Sequence, residues 1–299
     1  SYSMHKVLET SNPKIDSLSV VESTIGFGSL LYGFSAVGTK GWGSPVVIGF
    51  LLVGVLVVAA FAHRQLHMDK PLLELRVFTS KTFTLSVILT AVAFMSMVGV
   101  EMVLPMYIQT IRGQSAFHSG LILLPGAIMM GIMSPITGRI FDRIGAKRLA
   151  TTGLFLLLCG TMPLITLTAD SPILFVTVLY TVRMFGITMV TMPVTTAGMN
   201  ALSADLIAHG TAVNNTIRQI AASIGTAIMV SVLASVTAGH TPASALKAAS
   251  PVLFARQMQA ATVAGYRAAF VVSLILCVCG FLLSLRLEND PIDQGGAHA

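Results

Sequence analysis

Apolar residues along this 299-residue chain fall in long unbroken stretches separated by short polar punctuation. Eight stretches are long enough to cross a bilayer, whose ~30 Å hydrocarbon core takes about 20 helical residues. They are 18–37, 45–62, 82–108, 117–137, 148–168, 172–196, 212–236 and 263–285. None alternates strictly between polar and apolar positions, so the pattern predicts helices rather than the strands of a barrel. Ser44-Pro45 and Ser171-Pro172 each predict an N-cap followed by proline at the first helical position. Gly41, Gly43 and Gly113 are expected to turn the chain between neighbouring spans. The expected fold is an all-α integral membrane protein with eight transmembrane helices.

Composition strengthens that reading. Charged residues make up 10% of the chain and hydrophobic ones 54%, against about 25% charged in a soluble domain; mean hydropathy is +0.83. So few charges cannot cover the surface of a water-soluble domain of this size. Cys159, Cys277 and Cys279 all lie in apolar runs, which excludes a disulfide scaffold. Cys277 and Cys279 are two apart and cannot face one another on a helix to hold a metal. The net charge of +6 does not point to nucleic acid, because the basic residues cluster at the ends of apolar runs. With the N-terminus placed in the cytoplasm, inner segments hold 11 lysines and arginines and outer segments 5. The positive-inside rule favours this orientation, and an even number of spans then puts both termini inside. Segment 63–81 becomes a short amphipathic inner link, and 238–262 the one sizeable outer loop.

Between the fourth and fifth spans runs Gly138-Arg139-Ile140-Phe141-Asp142-Arg143-Ile144-Gly145-Ala146-Lys147-Arg148. Glycines permit a tight turn between helices. An aspartate among arginines can latch helix ends by charge-assisted hydrogen bonds and release them when the protein rocks. This stretch resembles the G-x-x-x-D-R-x-G-x-[KR]-[KR] loop signature of the major facilitator superfamily. Leu121-Ile-Leu-Leu-Pro-Gly126, Arg183-Met-Phe-Gly186, Met192-Pro193 and Asn214-x-x-x-Arg218-Gln219 are similar to motifs of the fourteen-span drug:proton antiporters of the EmrB/QacA type. So is ETSNPKIDSLSVVESTIGFGSLLYGFS at 9–35, which looks like their central loop entering the seventh helix. The resemblance covers almost the whole chain, in order. It implies a central cytoplasmic loop at 1–17, an extra helix pair at 18–62 and a cytoplasmic linker at 63–81. The C-terminal six-helix transporter half, a 3+3 inverted repeat, would occupy 82–285 and a cytoplasmic tail 286–299. The first six helices and their own copy of the signature are absent, so the chain is expected to be a C-terminal portion whose partner is the missing N-terminal half.

An ionisable residue inside a span is costly and by default a functional candidate. Arg183 lies about 11 residues into the sixth span, roughly 16 Å deep. It is expected to face a wet cavity, to pair with a carboxylate, or to satisfy backbone carbonyls between helices. Glu101 stands in the third span, just before Pro105, which is expected to bend the helix. It reads either as a proton-carrying group or as a solvated carboxylate near the outer end. In the fold that the resemblance implies, Glu101 and Arg183 share the central cavity. Arg218 follows polar Asn214 and precedes Gln219 near the start of the seventh span. It either snorkels to the interface or packs between helices with Asn214 and Gln219. The many methionines suit either a binding surface for varied apolar ligands or plain packing. No phosphate cradle, nucleophile elbow or metal-spaced histidine pair is present.

The resulting expectation is a proton-coupled multidrug exporter in the cell membrane, not an enzyme, working by alternating access. It would need no cofactor beyond the proton motive force. Its partners would be the lipid bilayer, protons and small amphipathic substrates, cationic drugs and dyes among them. Gly138, Arg139, Asp142, Arg143, Gly145, Lys147 and Arg148 would form the conformational latch. A facilitator-type transporter of another substrate and a non-transporting or truncated membrane protein are the alternatives.

Overall fold

The computed structural model describes residues 16–68 and 71–287; most of the expected loop 1–17 and tail 286–299, with Lys6, Lys14 and Lys70, lies outside them. The described chain is helical throughout: α1 (Ser17–Lys40), α2 (Pro45–His67), α3 (Lys81–Thr110), α4 (Ala116–Thr161), α5 (Ile173–Asn200), α6 (Ile207–Gly239), the short α7 (Ser244–Ala249) and α8 (Pro251–Ser284). Among the described residues, seven helices are long and apolar enough to cross a membrane.

Eight spans were expected; the difference lies in α4. Its 46 residues would reach about 69 Å if straight, more than twice a bilayer core. It is not straight, because Gly145 breaks the helical conformation with φ 78° and ψ 171°, a left-handed region that glycine enters at no steric cost. On the first arm, 116–144, Gly126 lies against Tyr180 and Gly138 against Met192, so this arm runs parallel to α5. On the second arm, 146–161, Gly153 lies against Met189 and Gly160 against Leu179, so this arm runs antiparallel to α5. The chain therefore doubles back at Gly145. The ten-residue linker expected at 138–147 is helical everywhere except at that glycine.

Other boundaries also differ. The second arm stops at Thr161, and Met162–Thr166 tighten into a 3-10 turn around Pro163, whose ring cannot continue the ladder. Pro172 itself occupies the N-cap position of α5, while the Ser171 hydroxyl accepts from the Thr168 N–H at 2.9 Å. The Ser44-Pro45 start of α2 is found as expected. The outer loop expected at 238–262 is largely helical, since Ser250-Pro251 starts α8 twelve residues before the apolar run. On the other side, Leu75–Thr79 form a 3-10 turn whose Val77 is fully buried beside Phe83 and Val213.

Small residues set the helix crossings, as membrane packing requires. Gly26 meets Val58, Leu30 meets Gly54 and Gly33 meets Leu51, which pairs α1 and α2 as an antiparallel hairpin. Gly225 lies against the Met95 backbone and joins α6 to α3. Gly153 and Gly186 approach so closely that a Cβ on either would stand 2.6 Å from the other's carbonyl oxygen. The main core lies between α3, α5, α8 and the second arm of α4, around Leu104, Leu154, Leu157, Ile187 and Phe270. The hairpin of α1 and α2 leans on α6 through Ala36, Val37, Val47 and Ala227.

Candidate functional site

The first arm of α4 comes together with α3, α5 and α6 around an open cavity of about 270 Å³. Phe94 and Met97 line it from α3, Met130 from α4, Arg218 from α6, and Ile187, Thr191, Met192, Thr195 and Thr196 from α5. Arg218 is half-buried, and its guanidinium carbon stands 4.2 Å from the centre of the Phe94 ring, a cation–π contact. Its Nε is buried without a hydrogen-bond partner. Among the described residues no hydrogen bond joins Arg218 to Asn214 or Gln219. Asn214 is buried, while Gln219 is exposed and turns to a different groove between α1, α3 and α6.

Glu101 shares the cavity's face of α3, four residues beyond Met97 and seven beyond Phe94. It is half-buried and within Coulombic range of Arg183. Its ion pair is absent from the two formed among the described residues, Arg64–Asp16 and Arg76–Glu74. Four residues on, Pro105 has no N–H to offer the Glu101 carbonyl. Tyr180, buried on α5, lies within range of both Glu101 and Arg183.

Arg183 does not line the cavity. It is fully buried on the side of α5 that faces α3, α8 and the second arm of α4. Its guanidinium donates to the Ser96 carbonyl at 3.2 Å and to the Thr161 hydroxyl. Ser96 in turn bonds the Ser273 hydroxyl at 2.7 Å and the Cys277 thiol at 3.1 Å. Cys277 is buried within this cluster and Cys279 is exposed, as their two-residue separation on α8 dictates. Gly160 makes room for the arginine, since a Cβ there would meet the Arg183 Cγ at 2.8 Å. Sequence depth located Arg183 in the membrane but not the side of the helix it takes. Ser96 and Ser273, hydroxyls inside apolar runs, were the available signal for its partners. Phe94 gave none, standing 124 residues from Arg218.

The loop signature sits at the bend of α4. Arg139, Asp142, Arg143 and Arg148 are exposed, and Gly138, Gly145 and Lys147 are half-buried. Among the described residues Asp142 forms no ion pair.

Comparison with known proteins agrees with this architecture. The Major Facilitator Superfamily pattern matches residues 17–226. An uncharacterised MFS-type transporter of Bacillus subtilis, YcnB, is 46% identical over 97% of this chain and 59% of its own length. The lincomycin resistance protein LmrB of Listeria monocytogenes is 38% identical over 96% and 59%, and LmrB of Bacillus subtilis 39% over 97% and 60%. A bacterial homologue of the human lysosomal transporter Spinster, solved inward-facing and occupied, shares the fold. Its TM-score is 0.55 at 15% identity, covering 88% of this chain and 66% of that one. The chain belongs to the Major Facilitator Superfamily; it is a multi-pass membrane protein of a transporter family and not an enzyme. It spans about three-fifths of the length of the curated relatives it matches.

Proposed function

We propose that this chain is the C-terminal portion of a fourteen-span, proton-coupled exporter of amphipathic small molecules, of the EmrB/QacA type, in the cell membrane. The observation that carries the reading is the cavity itself. Four helices meet there with methionines, one aromatic ring, three threonines and one arginine on the walls, in a chain 38% identical to lincomycin resistance proteins. Soft, polarizable walls suit ligands of varied shape.

In this reading the two antiparallel arms of α4 are separate crossings, which makes eight and places both termini in the cytoplasm. α1 and α2 are the extra pair, and α3 to α8 the six-helix half. Glu101 carries the proton. Protonating a carboxyl on the cavity's α3 face changes the charge that substrate meets, and so biases one face of an alternating-access cycle. Arg183, held by Ser96 and Thr161, braces the wall behind it. The bend at Gly138–Arg148 latches one conformation against the upstream half.

Substrate-triggered proton release in inverted vesicles tests this, with lincomycin and several amphipathic dyes. The chain is run alone and together with its upstream coding region. Dequenching of a pH-sensitive dye is expected with the upstream half present and is abolished by Glu101→Gln at unchanged membrane insertion. Normal coupling in that variant would remove Glu101 from the proton path. Silence with every solute would remove the exporter reading.

A further inference from the structure

Within α5 the threonines divide into two groups. Thr177, Thr181 and Thr188 turn their hydroxyls back to the carbonyls of Ile173, Thr177 and Met184 at 3.1, 2.8 and 2.8 Å. This is the ordinary way a helix satisfies a hydroxyl in an apolar setting. Thr191, Thr195 and Thr196, which line the cavity, do not do so. These threonines are half-buried, and their hydroxyls remain available to a ligand.

Across the cavity stands Arg218. Among the described residues its guanidinium forms no ion pair, and it stacks on the Phe94 ring. Among the described residues no acidic side chain is part of the cavity lining; Glu101 stands on the same face of α3, one turn beyond Met97 and outside that lining. A guanidinium fixed by stacking on an aromatic face is weakly hydrated and presents its N–H fork edgewise, the geometry that accepts a carboxylate, sulfonate or phosphate. An organic cation would meet like charge in the same place.

Resting on the reading of this cavity as the transport site, we propose that it takes an amphiphile through an anionic or acceptor-rich head. The head sits on Arg218 and the Thr191, Thr195 and Thr196 hydroxyls, and the apolar body lies against Met97, Met130 and Met192. The cationic dyes expected from the sequence are then poor ligands of this half of the protein. The same chemistry is offered by a free solute and by the headgroup of an anionic lipid.

Two dyes with one fluorophore and opposite charge test this, dansylglycine and dansylcadaverine, titrated onto the full chain in phosphatidylcholine nanodiscs without a proton gradient. Dansylglycine is expected to bind saturably and more tightly than dansylcadaverine. Arg218→Gln should weaken it about ten- to a hundredfold, the range of a charge-assisted contact, and Arg218→Lys by less. Arg218→Glu should reverse the preference. Thr191→Val with Thr195→Val leaves the arginine stack in place and should still weaken dansylglycine several-fold, so loss of binding is not loss of fold. Displacement by added phosphatidylglycerol would assign the site to a lipid headgroup, and persistence to a soluble solute. Equal or tighter binding of dansylcadaverine, an unchanged ratio in Arg218→Gln, or no saturable binding of either dye would overturn the proposal. Arg218-dependent binding alongside silent vesicles would instead sink the exporter reading and leave this site standing.

Discussion

Arg183 and Arg218 are both membrane-embedded arginines, each on a helix that flanks the cavity, yet they live in opposite environments. Arg183 is fully buried in a closed polar cluster, with Ser96, Thr161, Ser273 and Cys277 around it. Arg218 is half-open, stacked on one ring, with no acceptor of its own. The first gives both terminal guanidinium nitrogens to acceptors inside the protein, the Thr161 hydroxyl and the Ser96 carbonyl, and leaves its Nε without a partner; among the described residues the second gives neither and has those bonds left to offer. An arginine in a span therefore does not by itself mark a binding site. What separates the two is whether neighbouring helices close over the guanidinium. Around Arg183 they do, because Gly153, Gly160 and Gly186 let the second arm of α4 press against α5.

The contrast can be broken by mutation. Arg183→Ala empties a buried volume and leaves Ser96 and Thr161 without their donor, so it should cost about 3–5 kcal/mol in detergent unfolding. Arg218→Ala should cost about 1 kcal/mol or less, the worth of a partly exposed cation–π contact. Similar losses for both would mean that the two sites are not distinct in kind. A smaller effect is expected on the glycines. Gly153→Ala puts a methyl 2.6 Å from the Gly186 carbonyl oxygen, where backbone must move, at about 1–3 kcal/mol. Gly131→Ala on the first arm meets nothing within 4 Å and should leave the unfolding midpoint unchanged or slightly raised. Smaller again is Ser273→Ala, which removes one 2.7 Å hydrogen bond from a cluster that otherwise persists, at about 1 kcal/mol.

Much of the helical architecture was readable from hydropathy, because a bilayer admits few other structures. α1 was expected over 18–37 and runs Ser17–Lys40; α6 was expected over 212–236 and runs Ile207–Gly239. Hydropathy fails where a helix leaves the apolar zone. Pro251 starts a helical turn that Arg256, Gln257 and Gln259 disguise as loop, and the turn expected within 138–147 is made at Gly145 alone, with helix on both sides of it. The site was legible in part. Arg183, Glu101 and Arg218 stood out as ionisable groups in apolar runs, but their facing did not, since it depends on which glycines let which helices approach. Phe94 and the cavity threonines look like ordinary span residues until the helices are assembled.

A third polar cluster sharpens the comparison from the outside. Asp16 caps α1 by accepting from the Ser19 N–H at 3.2 Å and hydroxyl at 2.5 Å, and it pairs with Arg64 of α2 at 3.0 Å. Gln65 ties the same hydroxyl to the Leu73 N–H beyond α2. The Ser19 hydroxyl first, and Arg64 after it, hold the Asp16 carboxyl below its ordinary value. A carboxylate depressed in the folded state stabilises fully above its unfolded value, near pH 4. That support is lost as pH falls through the lower folded value. Acidification from pH 5 to 3 should therefore loosen the α1–α2 hairpin at its membrane edge. Hydrogen exchange at the first turn of α1 should rise with acid in the parent chain, whereas in Asp16→Asn the same turn should exchange faster already at pH 5 and respond less. The Arg183 cluster has no carboxylate bonded to it, so amides around Ser96 should show no such change. If they respond with the same midpoint, the helices unfold as one unit and the closed core has no separate stability.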